Sequence, residues 1–78
     1  MSKHHIEACV RASVEGYLKD LRSTEPTGMY NMMIGVVERP LFEVLLQHAN
    51  NNQSKVAQWL GLNRNTLRKK LSEHKLLK

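Results

Sequence analysis

Cysteine occurs once in this 78-residue chain, at Cys9, so no internal disulfide can tie it together. No stretch approaches the ~20 apolar residues needed to cross a bilayer. No leader of the secretory kind opens the sequence, which makes the reducing cytosol the expected compartment. Catalytic signatures are missing too. There is no Gly-rich phosphate loop, no nucleophile beside a plausible base, no metal quartet and no recognisable pair of acids. An enzyme is therefore not expected, nor a cofactor or metal. His4, His5 and Cys9 sit close together, with His5 and Cys9 one turn apart. They offer three ligands where structural zinc takes four.

Acidic residues nearly vanish from the last third. Residues 51–78 hold Lys55, Arg64, Arg68, Lys69, Lys70, Lys75 and Lys78 against Glu73 alone, a net of +6, whereas residues 1–50 carry −1. A near-neutral part joined to a basic part suggests assembly by the first and polyanion binding by the second. The chain is one domain, and a domain near this size buries only about 60% of its unfolded surface. With disulfide and metal both set aside, self-association is the remaining source of support.

Four helices are expected. Residues 4–22 carry Ile6, Val10, Val14, Tyr17, Leu18 and Leu21 at three- and four-residue steps, one apolar stripe. A Ser, Thr, Pro and Gly loop follows, in which Thr27 is a candidate cap for the next helix. Over residues 29–49, 13 of 21 positions are apolar, too many for one stripe, so this helix needs burial on more than one side. A copy of itself could supply that cover. Met29, Met32 and Met33 suit irregular contacts of this kind. Pro40 inside the pattern predicts a kink near residues 36–40, with a break as the competing reading. The Asn50-Asn51-Asn52 run reads as a turn.

The segment QSKVAQWLGLNRNTLRKKLSE, residues 53–73, is the most informative. It reads as helices over 53–60 and 63–74, capped by Asn52 and Asn63 and joined at Gly61, where a backbone without Cβ is favoured. Val56, Ala57, Leu60, Leu62, Leu67 and Leu71 face inward, and Leu62 with Leu67 matches a hydrophobic staple. Turning by roughly 100° per residue, Asn65, Arg68, Lys69 and Ser72 fall on the outer side, with Arg64 and Thr66 in the first turn. This is the helix-turn-helix layout, whose second helix lies in the DNA major groove. Arginine can grip guanine through two parallel hydrogen bonds, while lysine neutralises phosphate. The same cations on an ordinary solvated face are the plainer reading. Trp59 is expected to pack on the core rather than stack on a base, and His48 and His74 to be surface or helix-end residues.

From Asn52 to Leu71, and above all in NRNTLRKKL at 63–71, the chain resembles the bacterial Fis family, the factor for inversion stimulation. The same module ends many nitrogen-regulator-type enhancer-binding proteins. The resemblance covers nearly the whole chain and matches Pro40 to a proline in the family's long second helix. It implies an all-α fold of four helices per subunit. The first two helices, residues 1–50, would intertwine with a partner's as a dimer core, and residues 51–78 would form the DNA-binding unit. It also implies a homodimer that bends double-stranded DNA at degenerate pseudo-palindromic sites and acts on nucleoid structure, transcription and site-specific recombination. RNA polymerase is a candidate further partner; a membrane is not. By residue match, Asn63, Arg64, Thr66, Arg68 and Lys69 inherit the major-groove role, and Asn52, Ser54, Lys55 and Lys70 inherit contacts to the DNA backbone. Ser72 and Glu73 replace basic residues common in the family, which implies weaker phosphate contacts at the helix end. Lys55 stands where arginine is usual. Longer members carry an N-terminal β-hairpin arm that contacts the recombinase; the short start here leaves no room for it, so recombination stimulation is not expected. Two other readings stay open: a helical dimerisation or adaptor module whose basic tail binds an acidic protein, and the output domain of an enhancer-binding regulator.

Overall fold

The computed structural model describes residues 2–77 and contains four α-helices: α1 (Lys3–Leu21), α2 (Met29–His48), α3 (Gln53–Leu60) and α4 (Arg64–Glu73). No strand occurs among the described residues, so the all-α expectation holds, with helix limits within a residue or so of those read from periodicity. No helix there is long and apolar enough to cross a membrane.

α2 runs unbroken through Pro40. The proline removes one donor to the carbonyl four residues earlier, that of Val36; both residues are exposed, so water can satisfy it. The expected cap at Thr27 is not made. Gly28 takes the cap position with a left-handed backbone (φ 61°) and no side-chain hydrogen bond.

Three helix ends share one device. After α3, Leu62 N–H reaches back to the Ala57 carbonyl at 2.9 Å, with Gly61 N–H on Gln58 at 3.2 Å. The same pair recurs after α2 (Asn51 to Leu46, 2.8 Å; Asn50 to Gln47, 3.3 Å) and after α4 (Leu76 to Leu71, 2.8 Å; Lys75 to Ser72, 3.0 Å). These are Schellman ends, which require a left-handed residue. Gly61 (φ 72°) fills that place without strain; Asn50 (φ 53°) and Lys75 (φ 58°) fill it at some cost. A Cβ on Gly61 would meet no atom within 4 Å, so its substitution is a pure backbone effect. Gly61→Ala is expected to lower stability by about 1–2 kcal/mol, read from urea melts.

Packing is concentrated at one end. Phe42, Leu46 and Ala49 form a single core with Val56 and Ala57 of α3 and Leu67 and Leu71 of α4, and Leu45, Leu60, Leu62, Leu76 and Leu77 pack against it. The C-terminal half of α2 is therefore the base on which α3 and α4 sit. The other end is bare. α1 buries none of its residues, and most of its stripe is exposed, with Ile6 at 52%. On α2, Tyr30 is 78% exposed, and Val36, Val37 and Val44 are open as well. The shape agrees: the radius of gyration is 15.0 Å, against about 11.5 Å for a compact chain of this length.

Candidate functional site

The geometry of the last two helices begins with two asparagines. Asn52 Oδ1 accepts from the Lys55 N–H at 3.1 Å and starts α3; Asn63 Oδ1 accepts from the Asn65 N–H at 2.8 Å and starts α4. Neither helix has an acidic residue in its first turn. Their N-terminal amides thus keep the positive field that attracts anions. Leu62, half-buried just before the second cap, and Leu67, fully buried, set the angle at which α4 leaves the turn.

An open cleft of about 350 Å³ lies where the start of α3 meets the first turns of α4. Asn51, Asn52, Gln53 and Ser54 form one wall; Arg64, Asn65 and Arg68 form the other, with no carboxylate among them. Two guanidiniums and two helix starts therefore share one concave surface, suited to an oxyanion.

Of the residues singled out by resemblance, Asn52, Ser54, Arg64 and Arg68 line this cleft. Lys55, Asn63 and Lys69 are exposed outside it, as is Thr66, which lies roughly 160° around α4 from Arg68 on the Lys70 side. Asn52 and Asn63 already use their side-chain oxygens as caps, which leaves their amide N–H groups for any ligand. Lys70 sits differently. It lies roughly 160° around α4 from Arg68, and its Nζ donates to Glu38 Oε2 at 2.9 Å. Asn51, Gln53 and Asn65 line the cleft although no role was read for them. Asn65 had a signal in its outward place on α4, whereas Asn51 depends on a left-handed turn (φ 66°).

Trp59 departs from expectation: it is half-exposed and outside the core. Val56, Ala57 and Leu60 define the inner arc of α3, and Trp59 falls roughly 110° from its centre. The His5 and Cys9 side chains approach at 3.7 Å on open α1, and no larger group of metal-ligating residues occurs among the described residues.

Glu38 accepts from both Lys70 and His74 (Nε2 to Oε1, 3.0 Å). The Lys70 hydrogen bond, then that of His74, holds its carboxyl below the ordinary 4.5, and the same bond raises Lys70 above 10.5. A lowered carboxyl stabilises the fold above its ordinary value, and that contribution fades as the pH falls through the lowered one. The side chains are partly exposed (35% for Lys70, 20% for Glu38), so screening limits the effect to about 1 kcal/mol. Glu38→Gln is expected to be less stable than the parent by that amount near neutrality. The gap should close in acid, below the ordinary carboxyl range, as followed by urea melts over a pH series.

Two capped helices joined at a left-handed glycine, the second displaying cations beside the first one's amino end, define a helix-turn-helix protein. The sequence then places it within that class. The chain belongs to the Fis family of bacterial regulatory proteins, whose family model matches residues 34–74. A Fis-like protein of Ralstonia nicotianae is 49% identical over 99% of this chain and the whole of its own length. Another from Neisseria meningitidis serogroup A is 51% identical over 92% of this chain and 91% of its own. The DNA-binding protein Fis of Psychromonas ingrahamii is 42% identical over 83% of this chain and 66% of its own.

Proposed function

We propose that this chain is a homodimeric DNA-bending regulator that reads degenerate, two-fold symmetric sites through the major groove and acts at the nucleoid. The observation that carries this is the exposed Arg64–Arg68 wall beside the start of α3, free of any acidic neighbour. Such a surface meets phosphate with helix amides and base edges with the first turn of α4. Arg64 and Arg68 read bases; Asn63 and Thr66 flank them in the groove, where Lys69 meets phosphate at its wall; Asn52, Ser54 and Lys55 hold the DNA backbone. Residues 1–50 serve assembly and residues 51–78 serve recognition, with the end of α2 shared between them.

Surface area supports the dimer. The chain exposes 6572 Å², whereas a compact monomer of 9.0 kDa exposes about 4,900 Å². The excess, about 1,700 Å² per chain, falls in the range of an obligate homodimer. The uncovered stripes of α1 and α2 are where it lies. Two-fold symmetry then requires two half-sites. Bending the duplex to reach both recognition helices shifts much of the specificity to DNA deformability.

The test is the mass in solution followed by selection of bound duplexes from a random pool. A dimer and loosely defined symmetric sites are expected. A monomer would overturn the dimeric reading, and equally weak binding to every duplex would favour the dimerisation or adaptor module that binds an acidic protein.

A further inference from the structure

α4 is joined to α2 by two kinds of contact. Leu67 and Leu71 meet Phe42 and Leu46 in the core, a non-directional contact that resists separation more than small slides or rolls. The directional contacts gather at Glu38. Its two carboxylate oxygens accept from Lys70 Nζ at 2.9 Å and from His74 Nε2 at 3.0 Å. Lys70 and His74 are one turn apart and so share a face at the end of α4. Arg39, the next residue on α2, donates from Nη1 to the His74 carbonyl at 2.6 Å. The His74 ring stands edge-on to Phe42, with centroids 5.7 Å apart and planes at 75°. An ionised carboxylate only accepts, so both partners must present protons to it. The result is a polar pin one turn along α2 from Phe42, on the far side of α4 from the arginine-walled cleft.

α2 carries uncovered surface for a partner, and α4 carries the cations. The bearing of α4 on α2 therefore acts twice in a two-fold dimer, once in each subunit. We propose that Glu38 is a positioning residue for DNA recognition: by gripping Lys70 and His74 it fixes how α4 is aimed from α2, and so sets the half-site separation the dimer prefers. This rests on the DNA-binding dimer proposed above. It assigns Lys70 to aiming the recognition helix rather than to the DNA backbone.

The experiment titrates the full chain, Glu38→Gln and His74→Phe against duplexes bearing two identical selected half-sites. Their separation is stepped by single base pairs around one helical turn, ~10 base pairs. Circular dichroism at the assay temperature and the mass in solution establish that each variant is folded and dimeric. The parent is expected to show a sharp optimum. Glu38→Gln should flatten it, reducing the preference for the best separation over its neighbours by about fivefold, or ~1 kcal/mol. His74→Phe keeps an aromatic edge for Phe42 but loses the donor, and should flatten the optimum less. A folded Glu38→Gln dimer with the parent's separation profile, whether or not overall affinity drops, would reduce Glu38 to a stability role and overturn the proposal. If Glu38→Gln does not fold, the His74→Phe profile decides by the same criterion. A parent chain that binds no duplex would overturn the DNA-binding reading itself, which separates the two failures.

Discussion

Arg64→Ala is expected to weaken binding to a selected site by about 1–3 kcal/mol per half-site and to relax the preference at one base pair in each half. Arg64 opens α4, is exposed, and lines the cleft where the two helix starts converge. Its guanidinium can bond both acceptors of a guanine edge, an arrangement that no other base pair presents. The loss should therefore depend on sequence. Lys69→Ala gives the contrast: a point charge on phosphate carries no sequence information. Its removal should lower affinity evenly and flatten the salt dependence by about one unit per subunit. Affinities measured on matched and mismatched duplexes at several salt concentrations separate the two. An even loss for Arg64→Ala across all duplexes would assign that residue to phosphate instead.

Phe42→Ala carries the other large effect, a loss of about 3–5 kcal/mol in stability. Phe42 is 2% exposed and joins α2 to the core that also holds Leu67 and Leu71. Truncation opens a cavity under the recognition helix and removes the edge contact to His74. Whole domains are stable by only about 5–15 kcal/mol, so the basic pair should come loose from α2. Calorimetry or urea melts measure the change. Phe42→Leu should cost less, roughly 1–1.5 kcal/mol, because it keeps most of the volume. Equal losses for the two would mean that the ring shape, not the filled space, holds the site.

How much of this was legible in the sequence depended on distance along the chain. The caps at Asn52 and Asn63 act on amides two or three residues away, and Gly61 answers to the turn it occupies. Such local chemistry can be read directly, and with it the helix-turn-helix. The buried set from Val56 to Leu71 followed from periodicity. The Glu38 pin did not, because its partners lie 32 and 36 residues away. The family resemblance assigns Lys70 to the DNA backbone, whereas the rotation of α4, which already leaves it off the outer face, turns it to Glu38. Trp59 lies on the positioning helix, which favoured the core, but its angle on α3 turns it away from the arc of Val56, Ala57 and Leu60. The turn before α2 favoured Thr27 by chemistry, but the backbone passed the cap to Gly28.

The unburied stripe of α1 has a consequence for the living amount of this protein. Within one chain, none of those side chains is fully buried. In the dimer proposed above, folding of α1 and pairing would be one equilibrium, governed by mass action. The melting temperature of that dimer is expected to climb with the quantity of chain in solution, and a scarce supply would leave α1 without cover.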